Sequence, residues 1–211
     1  RKTAARVGTT VLTAALIFLF LLFITLPLIS LFTRISPADM LTALTSPSAL
    51  QALTLSAGTA LVSTVIVILF GTPLAYINAR VRYPGRNIVD TLTDLPIVLP
   101  PTVAGLALLT AFGTNGMLGQ YFSLFGIKIA FTTVAVVIAQ IFVASPFYIR
   151  QARASFEAVD AEYEYASRTL GAGVVTTFFR VTLPLAAGSL LSGIIMTFAR
   201  ALGEFGATMM F

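Results

Sequence analysis

The chain contains no cysteine, no histidine and no tryptophan. The first two absences exclude disulfides, thiolate nucleophiles, Cys/His zinc sites and imidazole-based acid–base catalysis. They leave the redox compartment open, because no thiol is present to oxidise. Charge is also scarce: Asp, Glu, Lys and Arg make up 10% of the 211 residues. A soluble domain carries about 25%. Hydrophobic residues reach 57%, and mean hydropathy is +0.96. These values exclude an ordinary cytosolic enzyme. They also exclude a disordered chain, which needs low hydrophobicity and high charge.

What is present is a set of long uncharged runs. Val7–Thr33, Gln51–Ala79, Leu95–Ile127, Ile129–Ile149 and Val181–Ala199 each lack Asp, Glu, Lys and Arg. A helix rises about 1.5 Å per residue and the hydrocarbon core is about 30 Å thick, so each run is long enough for one crossing. Backbone groups in lipid must be satisfied within the segment, which makes the runs helices. The alternating short strands of an outer-membrane barrel are not visible. The expected fold is all-α: a polytopic transmembrane bundle forming one membrane domain over residues 1–211. The expected spans are 8–32, 52–79, 95–113, 129–149 and 182–199. The first run is too long for a cleaved signal and reads as a retained helix, with an uncleaved signal anchor as the alternative. The sequence starts without methionine and stops inside the apolar stretch Ala207–Phe211. It therefore reads as part of a longer chain.

Net charge is +5, and its distribution carries topology rather than nucleic-acid binding. Arg1, Lys2, Arg6, Arg80, Arg82, Arg86, Arg150, Arg153, Arg168 and Arg180 fall on one set of alternate loops; only Arg34 and Lys128 fall on the other. The positive-inside rule places the N-terminus, second loop and fourth loop in the cytoplasm.

The fourth loop, residues 150–180, holds half of the acidic residues: Glu157, Asp160, Glu162 and Glu164. Phe156, Val159, Tyr163, Ala166 and Leu170 recur at helical spacing, which predicts one apolar stripe along one helix. Arg153–Glu157 and Glu164–Arg168 are expected i,i+4 pairs. Gly171 and Gly173 are expected to end the helix. Such a helix suits the lipid surface or a groove on a partner protein. Its acidic face favours the partner, because anionic lipid attracts Lys and Arg.

Two further features point to a pathway. Pro96, Pro100 and Pro101 interrupt the third run, as either a kinked helix or a broken one lining a cavity. Arg200 and Glu204 stand four apart near the end of the last run, either in the path or at the interface, and can neutralise each other. Gly105, Gly203 and Phe205 complete the candidate pathway. No Gly-x-x-x-x-Gly-Lys-Ser/Thr loop is present, so any ATP acts through another subunit.

Glu164-Tyr-Ala-Ser-Arg-Thr-Leu-Gly171, with Val181-Thr-Leu-Pro184 behind it, resembles the signature loop of ABC importer permeases, Glu-Ala-Ala-x-x-x-Gly followed by Ile-x-Leu-Pro. Tyr165 stands at the glutamate position and Ser167 at the second alanine. Leu95-Pro-Ile-Val-Leu-Pro-Pro101, Ala166–Gly173 and Ala199–Thr208 are similar to molybdate permease subunits, and sulfate permeases share much of the pattern. The resemblance covers about Ser48 to Phe211. It implies a type I importer-like permease for a tetrahedral oxyanion, molybdate or tungstate, with sulfate or thiosulfate as the alternative. It implies a homodimer, two cytoplasmic ATP-binding cassette subunits and an external oxyanion-binding protein. ATP and Mg would sit on the ATPase, with no cofactor, metal or nucleic acid on this chain. A sixth helix is expected beyond Phe211. The resemblance assigns Glu162, Glu164, Tyr165, Ala166, Ser167, Gly171, Ala172, Leu183 and Pro184 to the ATPase-coupling loop. It places the chain in a prokaryotic inner membrane. Three other readings compete. A secondary transporter predicts acidic residues inside spans; a membrane enzyme predicts clustered catalytic groups; a scaffold leaves the fourth loop unexplained.

Overall fold

A computed structural model describes residues 2–211, with side-chain surroundings from residue 12 onward. The basic N-terminal cluster Arg1, Lys2 and Arg6 lies outside the described side chains. All described regular structure is helical. Four helical stretches are long and apolar enough to cross a membrane: Leu12–Arg34, Pro47–Arg80, Thr133–Glu157 and Val174–Met210. A fifth crossing arises if the bent pair Arg86–Val98 and Pro101–Phe112 counts as one. The chain divides into two compact units, Arg1–Leu53 and Thr54–Phe211.

The first unit holds α1 (Lys2–Arg34), α2 (Pro37–Leu44) and the start of α3 (Pro47–Arg80). From Leu12 to Thr33 α1 carries no charged residue, as a lipid-spanning helix requires. Its hydroxyls bond back to the helix, Thr25 to the Leu21 carbonyl at 2.8 Å and Ser30 to that of Pro27 at 2.8 Å. This hides polar groups that lipid cannot satisfy. Ser36 caps α2 by accepting from the Ala38 N–H at 3.2 Å, and Pro37 occupies the first turn.

The second unit contains the rest of α3, then α4 (Arg86–Val98), α5 (Pro101–Phe112), α6 (Gly119–Leu124), α7 (Thr133–Glu157) and α8 (Ala161–Thr169). After these come α9 (Val174–Thr177), a π turn (Phe178–Thr182), α10 (Leu183–Leu202) and α11 (Gly206–Met210). Packing centres on α7, whose broadest partner is α10. Ser63 meets Gln140 and Thr72 meets Tyr148, so α3 and α7 run parallel. Gly193 lies against Gln151, while Ala201 is buried with Ala144, so α10 runs the opposite way to α7.

Small residues make these contacts. Ala60, Ala75, Ala139, Ala144, Ala152, Ala186 and Ala201 are at or near zero exposure, whereas many Leu, Ile and Phe side chains face outward. A Cβ on Gly71 would stand 3.0 Å from the Tyr148 ring. Lipid tails are as apolar as leucine, so helices in a membrane associate by close backbone approach rather than by hiding large side chains. Buried hydrogen bonds add to this. Ser63 Oγ donates to Gln140 Oε1 at 3.0 Å, and Gln140 Nε2 donates to Thr59 Oγ1 at 3.2 Å.

Three expectations meet the structure. First, of the two readings left open for Pro96, Pro100 and Pro101, the third run is the broken helix rather than the kinked one. The chain bends by 116° between α4 and α5. Pro100 forces Leu99 into extended backbone (ψ 133°), Pro100 itself is extended (ψ 139°), and Pro101 opens α5 in its first turn. That order follows from proline sterics. α5 alone has 12 residues, about 18 Å at 1.5 Å per residue and short of a crossing. Second, α7 starts at Thr133 rather than 129 and runs on to Glu157, carrying Arg150 and Arg153 in the same helix. Third, the stripe from Phe156 to Leu170 is not on one helix. The chain breaks at Ala158–Asp160; Phe156 and Val159 are buried, and Tyr163 and Leu170 are exposed.

Candidate coupling surface and transport path

α8 is built locally. Asp160 caps it, its Oδ1 accepting from the Glu162 N–H at 3.0 Å. Glu162 and Glu164 occupy the first turn and Arg168 the last, each at the end of the helix dipole that favours its charge. Leu170 closes the helix, and Gly171 adopts φ +88°. The Gly171 N–H reaches the Arg168 carbonyl at 2.9 Å and the Ala172 N–H reaches that of Ser167 at 3.2 Å. This is a Schellman end, which requires the left-handed conformation that glycine adopts readily. No atom lies within 4 Å of a Cβ at Gly171 or Gly173. Gly173 has an ordinary negative φ at the start of α9.

The faces of α8 differ in kind. Glu162, Tyr163, Tyr165, Ala166, Arg168 and Thr169 are exposed, as is Leu170 beyond them. Ser167 is half-buried, its Oγ 3.0 Å from Thr177 Oγ1. Glu164 alone in α8 is buried. It does not take the expected Arg168 as its partner. Arg80, at the end of α3, places Nε and Nη2 each 2.9 Å from Glu164 Oε1. Thr182 Oγ1 donates to the same oxygen at 2.9 Å, and Tyr76 OH donates to Oε2 at 3.3 Å. The other expected pair, Arg153–Glu157, forms at 2.9 Å. Ala172 and Leu183 are half-buried and Pro184 is exposed. Leu183 N–H bonds to the Phe178 carbonyl, five residues back, and so closes the π turn. Pro184, without an N–H, takes a place in the first turn of α10, where that loss is tolerated.

α4 is fastened to the end of α7 by a second charged cluster. Arg153 Nη1 lies 2.7 Å from Asp90 Oδ2, Arg86 lies 3.4 Å from Glu157, and Arg150 pairs with Asp94. Asn78 Nδ2 donates to Asp90 Oδ1 at 2.9 Å.

Of the candidate pathway residues, Pro101, Gly105 and Glu204 come together where α5 meets α11. A Cβ on Gly105 would stand 2.5 Å from the Ala207 carbonyl and 2.7 Å from Met210 Cβ; one on Gly206 would stand 2.6 Å from Pro101 Cβ. Glu204 is 2% exposed at its side chain and pairs with Arg200 at 2.7 Å. Its Oε1 also accepts from the Ala207 N–H at 2.7 Å and so holds the start of α11. Its charge is therefore neutralised inside the fold. Pro96 is buried inside α4, Pro100 and Gly203 are exposed at the breaks, and Phe205 is 71% exposed. An open groove of 840 Å³ between α3 and α10 is lined by Ile68, Leu69, Leu190, Leu191 and Ile194, with Tyr76 and Thr72. Its aliphatic walls suit lipid or an apolar helix, not an oxyanion. Among the described residues no His, Cys, Asp and Glu cluster could hold a metal ion.

Sequence reasoning missed Tyr76, Arg80 and Thr182 as partners of Glu164. Arg80 stood out only as the charge ending an apolar run. Nothing local links it to a residue so distant in sequence.

The fold and the site describe a helical membrane protein with a broken span and a capped helix between spans, and the sequence places it in a family. The family described as the binding-protein-dependent transport system inner membrane component matches residues 68–211. The chain belongs to this family of multi-pass inner-membrane permease subunits, which serve transport without a catalytic role and work with an ATPase and a binding protein.

Particular relatives narrow the family. The chain is 43% identical to the molybdenum transport system permease protein ModB of Mycobacterium tuberculosis, over 90% of this chain and 72% of that one. It is 43% identical to a probable molybdenum ABC transporter permease protein of Haloferax volcanii, over 96% and 73%. It is 36% identical to the sulfate transport system permease protein CysT of Escherichia coli, over 95% and 71%.

Proposed function

We propose that this chain is the membrane subunit of an ATP-driven importer of molybdate, and of tungstate, its near twin in size and charge. It acts as a homodimer with two cytoplasmic ATPase subunits and an external oxyanion-binding protein. The observation that carries the substrate is the higher identity to molybdenum permeases, 43%, than to sulfate permeases, 36–38%.

The mechanism follows from the two sites. The exposed surface of α8, with Glu162, Tyr165 and Ala166, docks in a cleft of the ATPase. Gly171 and Ala172 turn the chain sharply behind it. ATP-driven closure of the ATPase pair moves α8 as a lever, and the spans alternate between inward- and outward-facing states. The broken helices around Pro96, Pro100, Pro101 and Gly105, with Gly203 to Phe205, line the path. Glu204 is neutralised by Arg200, so the dianion meets backbone N–H groups and hydroxyls rather than a repelling carboxylate. The N-terminus and the 150–180 loop face the cytoplasm.

Uptake of labelled molybdate into proteoliposomes holding the full complex tests this. ATP-dependent uptake that resists excess sulfate is the expected result. Uptake suppressed by sulfate would move the substrate to sulfate. No ATP-dependent uptake of either ion would overturn the importer.

A further inference from the structure

We infer that the buried carboxylate of Glu164 is the positioning residue that transmits movement of α8 into the membrane spans, by tying α8 at once to α3 and to α10. The inference rests on the reading that α8 docks on the ATPase. It adds how the docked helix is connected to what it moves.

Three side chains from two other segments, α3 and the π turn, converge on this one carboxylate. Arg80 ends α3 and reaches Glu164 Oε1 through Nε and Nη2, both at 2.9 Å. Its Nη2 also donates to the Val159 carbonyl at 2.8 Å, at the junction of α7 and α8. Thr182, fully buried in the last position of the π turn, donates to the same Oε1 at 2.9 Å. Tyr76, one turn back along α3, donates to Oε2 at 3.3 Å. Side-chain exposure is 7% for Glu164 and 17% for Arg80. The rest of α8 offers little to pull on: its other side-chain bond to a neighbouring segment is Ser167 to Thr177.

Apolar contacts would let a helix slide or roll over its neighbours. A buried ion pair does not allow this. Separating Glu164 from Arg80 would leave an uncompensated charge out of water, which is strongly unfavourable. The hydrogen bonds also fix direction. A displaced α8 therefore carries the end of α3 and the entrance of α10 with it. The carboxylate faces the spans rather than the exposed face of α8, so its role is distinct from contact with the ATPase.

The test uses the full complex in proteoliposomes and reads molybdate taken up per ATP hydrolysed. Docking is read separately, by cross-linking Thr169→Cys on the exposed surface of α8 to a single cysteine in the ATPase cleft. Glu164→Gln and Thr182→Val are expected to keep the cross-link while uptake per ATP falls about five-fold or more, the scale of a typical coupling between sites. The charge swap Arg80→Glu with Glu164→Arg is expected to recover part of the ratio that Arg80→Glu alone loses, which a merely misfolded loop would not do. If Glu164→Gln does not assemble, Thr182→Val and Tyr76→Phe, each removing one hydroxyl, decide the matter. Wild-type uptake per ATP in these variants, with docking intact, would overturn the inference. Absence of any cross-link when Thr169→Cys is the only change would instead overturn the docking reading, and the inference with it.

Discussion

Gly171 and Gly173 stand two residues apart, and the structure asks different things of them. Gly171 has φ +88° and open space around it; Gly173 has an ordinary φ and the same open space. A side chain at Gly171 is strained by its backbone, by roughly 1–2 kcal/mol. Gly171→Leu is therefore expected to weaken ATPase binding while membrane insertion stays intact. Gly173→Ala is expected to leave binding unchanged. Co-purification of the ATPase with each variant checks both, and normal stoichiometry and transport in Gly171→Leu would sink that role. The glycine was legible in sequence because a Schellman end is a local device. So was Arg200–Glu204, since spacing of four sets two side chains on one helix face. The partner of Glu164 was not legible: Arg168 has the right spacing, and Arg80 wins because folding brings it to the buried side.

At the scale of elements, α5 and α11 are two short helices that depend on each other. Neither is long enough to cross a membrane, and their backbones approach closely at Gly105–Ala207 and Pro101–Gly206. Gly105→Val has no room to be absorbed, since the nearest atoms are a carbonyl and a Cβ. Overpacking of this kind costs typically 1–3 kcal/mol, occasionally more. The expected outcome is a lower Tm in detergent and reduced uptake, with α8 still able to bind the ATPase. A wild-type Tm would mean that α5 and α11 separate freely. The Pro100–Pro101 break was legible as an interruption, because proline sterics act on adjacent residues. Its 116° bend and the π turn before α10 were not. Both depend on what the helices pack against. The extension of α7 to Glu157 was hidden for a related reason: charges were read as the end of a span, while Asp90 and Asp94 of α4 and Glu157 of α7 itself neutralise Arg150 and Arg153.

For the whole molecule, the testable quantity is sidedness. These 211 residues hold no cysteine, so a thiol introduced among them has no neighbour of its own kind there. Lys128 and Thr169 are both exposed, on opposite sides of the expected topology. Lys128→Cys is expected to react with a membrane-impermeant maleimide in intact cells. Thr169→Cys is expected to react only after the membrane is opened. The reverse labelling would invert the orientation drawn from the arginine distribution.

By itself the sequence determined that this is a membrane protein, that it is helical, that its third run is interrupted, and where α8 stops. Each of these rests on composition or on neighbours in the chain: lipid demands internal backbone bonding, and caps and prolines act within a few residues. Tertiary structure alone decided which charges pair between helices and which small residues touch. Arg80 and Glu164 are 84 residues apart, and no periodicity connects them. Burial makes such a pair obligatory, because a lone charge out of water is strongly unfavourable, but only the packed helices determine which partner is within reach.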